Sequence, residues 1–225
     1  MHKVFTARAR LWQLISPSLP VGAYAYSAGL EYAVETGWVD TEEKAKDWIT
    51  GQLRNNLSTL DVPILSRLYK AWQENNADNA KYWSCFLLAS RESSELLAED
   101  RQLGNALALL LPELGIDEAL SWRGESYTSF SAMFALGAAR WEIPVEETAQ
   151  GYLWAWCENQ VTAAIKLIPL GQTAGQRILS GVVNALPGVV EQGLLLADDD
   201  IGAVSPGVAM ASARHEIQYS RLFRS

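Results

Sequence analysis

Apolar residues recur at helical spacing along almost the whole chain, and this periodicity constrains the fold more than any other feature of the sequence. In the segment 40–60, successive apolar residues lie four, four and three positions apart, which places them on one face of a helix. Asp40 and Glu43 precede them in a capping-box-like arrangement. An amphipathic helix is therefore predicted, and its buried face carries Ile49, Leu53, Leu57 and Leu60.

Proline and glycine mark the ends of further predicted helices. Asp61 is placed to cap a helix that takes Pro63 into its first turn. Pro144 opens a long helix that reaches Leu167. The remaining predicted helices cover 80–111, as one or two helices ended by Pro112 and Gly115, then 129–141, and 171–186, ended by Pro187 and Gly188.

Strand signals are nearly absent, because no stretch alternates β-branched and polar residues between turn pairs. No internal repeat with a period of ~20–50 residues is present either. We therefore predict an all-α fold, a helical bundle of about eight to ten helices that forms a single domain over residues 1–225. Near the end, LADDDIGAVSPG separates the helices from a polar tail, HEIQYSRLFRS, at 215–225. We expect this tail to be poorly ordered on its own.

Charge and composition narrow the class of protein. The net charge of −8 lacks the basic footprint of a nucleic-acid binder. No uncharged apolar run reaches ~18 residues, so we expect no membrane span, and the N-terminus lacks the long apolar stretch of a secretory signal. Cys85 and Cys157 form no C-x-x-C pair and lie in apolar surroundings, which favours reduced core thiols. These features predict a soluble cytoplasmic protein that binds neither nucleic acid nor membrane.

The usual catalytic signatures are missing. The glycine-rich stretch GQTAGQR has neither the spacing nor the lysine of a P-loop. His215 and Glu216 begin like H-E-x-x-H, but Tyr219 stands where the second zinc ligand is needed. His2 is the only other histidine, so a Ser-His-Asp or Cys-His site would need a terminal residue. We predict no catalytic residue, no metal ligand set and no cofactor.

Two charged patterns allow more than one interpretation. Glu92, Glu95 and Glu99 fall on one face of a predicted helix, where they either attract a divalent metal or basic partner or form a solvated face on which Arg91 pairs with Glu95. In the long helix, a stripe of residues four apart mixes tryptophan with opposite charges, and it either contacts a partner or faces solvent. The stripe consists of Gln150, Trp154, Glu158, Thr162 and Lys166.

The segment SPSLPVGAYAYSAGLE, residues 16–31, reads as a stiff loop that leads into a helix. Its prolines restrict the chain, and Ser27 is a credible N-cap for a short helix that ends at Gly37. Tyr24 and Tyr26 lie on the loop. Aromatic residues in such positions either anchor an interface or insert into the core.

Five blocks of the sequence resemble the urease accessory protein UreF family. The segment SPSLPVGAYAYSAGLEYAVETGWV is similar to the family signature SPxLPVGxFxYSxGLE, and DVPILSRLY, ASRESSELLAEDRQLG, LWAWCENQVTAAIKLIPLGQTAGQR and HEIQYSRLFRS follow in the family's order. The resemblance implies an all-helical, two-fold homodimer without catalytic activity. It implies binding to UreD (also called UreH), to the GTPase UreG and to apo-urease, for assembly of the urease nickel centre. It also implies no cofactor of the chain's own, with nickel passing through the complex.

Carried over position by position, the resemblance implies two contact surfaces. The expected GTPase-facing residues are Tyr24, Tyr26, Ser27, Glu31, Asp61 and Lys166. The expected UreD-binding residues are His215, Tyr219, Arg221, Leu222 and Arg224, on a tail that becomes ordered against UreD. The sequence departs from the family pattern at Ala25, where serine is frequent, and at Ser94 and Leu97, where basic residues are frequent and would balance the acidic helix face.

Two functions from other classes stay open. The first is a helical enzyme with a carboxylate metal site built from Glu92, Glu95, Glu99 and Glu158, although the Glu-x-x-His pairs of a di-metal bundle are absent. The second is a GTPase-activating protein with an arginine finger, for which Arg177 and Arg101 are the candidates.

Overall fold

Every regular element in the computed structural model, which describes residues 2–202 and 205–225, is a helix. This confirms the predicted all-α fold, although the eleven α-helices slightly exceed the predicted number. They are α1 (His2–Leu14), α2 (Leu30–Glu35), α3 (Glu42–Gln52), α4 (Val62–Gln73), α5 (Ala77–Ala89), α6 (Ser94–Glu113), α7 (Phe130–Arg140), α8 (Val145–Leu167), α9 (Gln172–Val183), α10 (Leu186–Leu195) and α11 (Pro206–His215).

Helix α7 lies at the centre of the bundle. Its residues from Ser131 to Ala138 are all buried, as expected of a helix that is apolar around its whole circumference. It packs against α4 and α6, and α8 runs beside α4 and α9. The indole nitrogen of Trp72 donates to the carbonyl of Ala132 at 2.9 Å, and the hydroxyl of Tyr69 donates to the carbonyl of Ile143 at 2.7 Å. The two large polar aromatics of α4 thus enter the core with their polar atoms satisfied.

One continuous helical rod runs from α3 into α4 through a π-helical segment, Leu53–Asp61. The predicted caps of its two halves are both wrong. Thr41, one residue after Asp40, caps α3 through a bond from the Lys44 amide at 3.2 Å. Asp61 makes no side-chain cap bond, because the chain before it is already helical and its carboxylate is directed elsewhere. A π-helical segment of this kind is rare and often marks a functional region.

The other sequence-based boundaries are confirmed only in part. The segment 80–111 divides into α5 and α6, and Ser93 caps α6 through a bond from the Leu96 amide at 3.1 Å. Pro187 was expected to end a helix, but it lies in the first turn of α10. A proline is tolerated there because the N–H that it lacks would have no partner within the helix. Helices α1 and α11 were not predicted. Helix α11 begins at the end of the LADDDIGAVSPG segment and ends at the first residue of the predicted tail.

Helix α11 packs against α2 and α6 at a close approach of two backbones. Gly29 precedes α2 with φ of 80°, a left-handed conformation that favours glycine. A Cβ atom at this position would lie 3.0 Å from the amide nitrogen of Ser212. The glycine of the SAGLE segment therefore permits both the turn into α2 and the seating of α11, which delivers the C-terminal tail to this side of the molecule.

Two remaining expectations concern the burial of the cysteines and the absence of a membrane-spanning helix. Cys157 is a buried free thiol, and burial raises its pKa to about 12, whereas Cys85 is exposed, so the prediction of a core thiol is wrong for Cys85. Among the described helices, none is by itself long and apolar enough to cross a bilayer. The pair α9 and α10, bent by 41°, meets the length and composition together.

Candidate contact site formed by the first loop and the C-terminal tail

The C-terminal tail folds back onto the loop that precedes α2. The Ser27 amide donates to the Ser225 carbonyl at 3.0 Å, and the Arg224 amide donates to the Ala25 carbonyl at 2.8 Å. Ser27 and Ser225 are both fully buried by this contact. The expectation of a poorly ordered tail is therefore wrong, because the tail forms backbone hydrogen bonds with its own chain.

The carboxylate of Glu31, on α2, is the principal acceptor for the tail. The amides of Leu222 and Phe223 donate to its two oxygens at 2.6 and 2.8 Å. The Nε2 atom of His215 lies 3.0 Å from the second oxygen. Glu31 is only 6% exposed. A buried carboxylate requires such hydrogen bonds, so the two tail amides replace the water that Glu31 would otherwise bind.

His215 lies between two carboxylates in the interior. Its Nδ1 atom is 2.7 Å from Glu95 on α6, and the same carboxylate accepts from Arg221 at 2.9 Å. The histidine side chain is completely buried. Both ring nitrogens lie within hydrogen-bond distance of carboxylate oxygens. Arg221 of the tail supplies a positive charge to the acidic face of α6, which has Ser94 and Leu97 in place of basic residues.

Two further contacts hold the end of the tail. The ring of Phe223 is buried, and the ammonium of Lys166 lies 5.5 Å from its centroid in a cation–π contact. The hydroxyl of Tyr26 donates to Gln102, which also accepts from the Arg224 guanidinium at 3.3 Å. Burial raises the pKa of Tyr26, which keeps its hydroxyl protonated as a donor.

The structure divides the predicted contact residues into exposed and buried groups. Five of them are buried and bound within the chain, so their expected position on an open surface is wrong: Tyr26, Ser27, Glu31, Asp61 and His215. The others are exposed and lie on or beside the tail and first loop, where partner binding stays a prediction: Tyr24, Lys166, Tyr219, Arg221, Leu222 and Arg224. The two loop tyrosines therefore differ in burial: Tyr24 is 67% exposed and Tyr26 is 4% exposed.

Asp61 belongs to a buried charge cluster rather than to a surface. Arg91 donates to Asp61 at 2.7 Å and to Asp100 at 2.9 Å, and Tyr152 donates to Asp61 at 3.3 Å. The amide of Phe130 donates to Asp100 at 2.7 Å. Burial by itself lowers the pKa of Arg91, but the two aspartates outweigh burial and raise it well above its usual value. The interpretation in which Arg91 pairs with Glu95 is wrong, because this cluster binds the guanidinium.

The acidic face of α6 does not form the metal site of the enzyme hypothesis. Glu92 precedes α6 and is exposed, Glu95 binds the tail, and Glu99 accepts from the Ser225 hydroxyl at 2.9 Å. Within 2–202 and 205–225, no group of three His, Cys, Asp or Glu residues is placed to hold a metal ion. Of the two candidate arginine fingers, Arg177 forms a two-bond ion pair with Glu42 at 2.8 and 2.6 Å.

Comparison with known proteins agrees with the sequence blocks. The family model described as UreF matches residues 39–183. The chain belongs to the UreF family. Its relatives named "Urease accessory protein UreF" include those of Alkalilimnicola ehrlichii, 54% identical over 97% of this chain and 96% of the relative, and of Hahella chejuensis, 47% identical over 97% and 98%. A third, from Teredinibacter turnerae, is 48% identical over 96% and 97%.

The UreF relatives extend the similarity beyond the residues that the family model matches. The match at 39–183 omits both the first loop and the C-terminal tail, whereas the relatives cover nearly the whole chain. The contact site therefore includes two terminal segments that lie outside the residues matched by the family model.

Sequence reasoning missed several residues of this UreF contact site. Gln102, Phe223 and Ser225 bind the loop or the tail, and none was singled out. The available signal was the adjacent apolar pair Leu222 and Phe223, because two consecutive apolar side chains in a largely polar tail indicate a docking contact.

Replacing Arg91 with methionine should destabilise the protein strongly. The change leaves Asp61 and Asp100 buried without a cation, which costs about 3–5 kcal/mol of unfolding free energy. The matched control is Arg177→Met, which removes a solvent-exposed ion pair and should change the unfolding free energy much less. Urea denaturation followed by circular dichroism measures both variants. An equal loss of unfolding free energy in the two variants would contradict the structural role of the Arg91 charge cluster.

Stability should fall as the pH rises through neutrality because of Glu99. Burial raises its pKa from 4.5 to about 7, so the folded chain retains a proton that the unfolded chain has released. The stability that this retained proton adds is fully present below pH 4.5 and is lost as the pH rises through about 7. Glu99→Gln should therefore stabilise the protein by about 1–3 kcal/mol at alkaline pH.

Urea denaturation at about pH 5 and about pH 8 tests this prediction. Glu113→Gln, on an exposed position of the same helix, serves as the control. We compare how the free energy of unfolding changes with pH. If this change is the same in Glu99→Gln, in the unmodified chain and in the Glu113→Gln control, Glu99 is not the cause of the pH dependence.

Proposed function

We propose that this UreF family member is a non-catalytic, cytoplasmic adaptor that bridges UreD (also called UreH) and the GTPase UreG during assembly of the urease nickel centre. The names of its relatives support the accessory role. The partners follow from the sequence blocks that resemble the family. Nickel is cargo of the complex in this proposal and is not a cofactor of the chain.

The observation that carries the proposal is the exposed surface on the docked tail. Tyr219 and Leu222 are 106% and 65% exposed although the adjacent backbone is held by Glu31. Tyr24 is exposed on the loop that the tail contacts. Aromatic, aliphatic and arginine side chains fixed on a rigid base are typical of interface anchors, because little conformational entropy is lost when a partner binds them.

Positioning rather than bond formation is the proposed mechanism. A two-fold homodimer carries two copies of the tail and first loop, and can hold two copies of a GTPase in register with its target. An adaptor changes the GTPase equilibrium only if it binds one state of the GTPase more tightly than another. Recruitment of UreG should therefore depend on bound nucleotide.

Exposed residues beside the tail should determine UreG recruitment. Tyr24→Ala and Lys166→Ala each remove an exposed side chain of the proposed GTPase-facing surface. Lys166→Ala also removes the cation–π contact with Phe223, but both variants keep the hydrogen bonds from the tail backbone to Glu31. We expect each change to lower the UreG recovered with the tagged chain by about tenfold, while UreD recovery is unchanged.

Co-expression and pull-down with UreD and UreG, with and without GTP and nickel, provide the measurement. Tyr82→Ala is the control, because Tyr82 is an aromatic of α5 that is 58% exposed and lies outside the proposed surface. Unchanged UreG recovery with both surface variants would contradict the proposed GTPase-facing surface. The mass of the purified chain, measured by light scattering, tests the homodimer.

The tail should be necessary for UreD binding. Deletion of 216–225 retains His215 between Glu31 and Glu95, and should leave a folded chain that no longer recovers UreD. A double change of Tyr219 and Leu222 to alanine keeps the hydrogen bonds from the tail backbone to Glu31. It therefore tests whether UreD binding needs these two side chains or only an ordered tail. Normal UreD recovery by the deletion variant would refute the assignment.

A further inference from the structure

A cavity of about 250 Å³ lies beneath the first loop, between the π-helical segment, α6 and α8. Its lining includes the exposed residues Tyr24 and Thr162, so it reaches the protein surface. Most of the wall is apolar. The apolar side chains include Leu14, Ile15, Leu57, Leu103, Phe130 and Trp156.

The polar part of the cavity is acidic. Four carboxylates and one guanidinium line it. Arg91 already neutralises Asp61 and Asp100, as described above. Among the described residues, Glu99 accepts a hydrogen bond from the Ser225 hydroxyl and forms no ion pair, and Glu158 has neither a hydrogen bond nor an ion pair. Burial raises the pKa of both glutamates, and the charge of Arg91 offsets this only in part at Glu99.

An unpartnered donor accompanies these carboxylates. Gln52 lines the cavity and is 5% exposed, and its Nε2 amide is buried without an acceptor in the described residues. A buried donor without an acceptor costs free energy. Two partners are therefore missing from the described part of the cavity: a cation paired directly with Glu99 and Glu158, and an oxygen acceptor beside Gln52.

A metal ion does not meet both needs. A divalent cation requires several oxygen ligands that converge, and no such group of three exists in the described part of the chain. An arginine side chain fits better, because it has a charged planar head, an apolar stem and its own backbone carbonyl. Its guanidinium can bond two carboxylates and can stack on an aromatic ring such as Trp156.

We propose that this cavity is a socket for an arginine side chain of a partner protein, with Glu99 and Glu158 binding the guanidinium and Gln52 binding the neighbouring carbonyl. The inference rests on the proposed adaptor function, since it assigns a specific contact to one of the partners. Its chemistry can nevertheless be tested with the isolated full chain.

The first test uses a small probe, N-acetyl-arginine N-methylamide, in saturation-transfer NMR with the full chain. Its neutral isostere, N-acetyl-citrulline N-methylamide, is the matched ligand control. We expect the arginine probe to bind at least tenfold more tightly than the citrulline probe. We also expect Glu158→Gln to abolish this difference, whereas Glu191→Gln, on an exposed position of α10, leaves it intact.

The pH dependence gives a second measurement that needs no variant. The guanidinium stays charged throughout, so the affinity for the arginine probe should rise between about pH 6 and about pH 8 as Glu99 ionises. The groups that act on Glu99 are Arg91, Asp100, Asp61 and the Ser225 hydroxyl, while Glu158 lines the same cavity from α8.

Three results would overturn the socket: equal affinity for the two probes, an affinity for the arginine probe that does not change with pH, or binding of nickel chloride alone that Glu158→Gln abolishes. Co-purification of the partners separates this inference from the adaptor function. Loss of probe discrimination with normal UreD and UreG recovery refutes the socket alone. Probe discrimination without any partner recovery refutes the adaptor function.

Discussion

The buried ion cluster around Arg91 joins more of the molecule than any other interaction. One guanidinium, in the short connection between α5 and α6, binds Asp61 at the end of the π-helical segment and Asp100 on α6. Asp100 also accepts from the first amide of α7, and Tyr152 of α8 donates to Asp61. Five parts of the fold thus meet at one desolvated charge. Because removal of a single member leaves an uncompensated charge in the interior, the cluster fixes how these helices are arranged.

The first two turns of α6 connect this cluster to the C-terminal tail. Glu95 binds His215 and Arg221, Glu99 binds the last residue and lines the cavity, and Asp100 binds Arg91. Three acidic residues within six positions therefore serve three different structural purposes. The tail is held largely by backbone amides and a buried histidine, which leaves its outward side chains free for a partner. This arrangement is suited to an adaptor, in which a rigid internal attachment supports an exposed contact face.

The fold was largely predictable because helical periodicity and proline or glycine boundaries are local signals. Helices α7 and α8 begin and end close to the predicted positions. The errors came where a local rule competed with tertiary contacts. Asp61 before Pro63 has the sequence of a helix start, yet the chain before it is already helical, and its carboxylate is bound by Arg91, thirty residues away, instead of capping α4. Helix α11 was missed because its apolar face is short and is completed only by packing on α2 and α6.

The sequence by itself determined the helical class, the absence of the motifs of common catalytic sites, and the family, through five blocks in order. Through the family blocks it also singled out Glu31, Asp61 and His215 as expected contact residues. Only the tertiary structure decided that these three side chains are buried and bound within the chain rather than on an open surface, and that Tyr24 is exposed whereas Tyr26 is buried. The physical reason is distance along the chain. Glu31 meets Leu222 across 191 positions, and no periodicity or capping rule reports whether a charged side chain finds such a partner or remains in water.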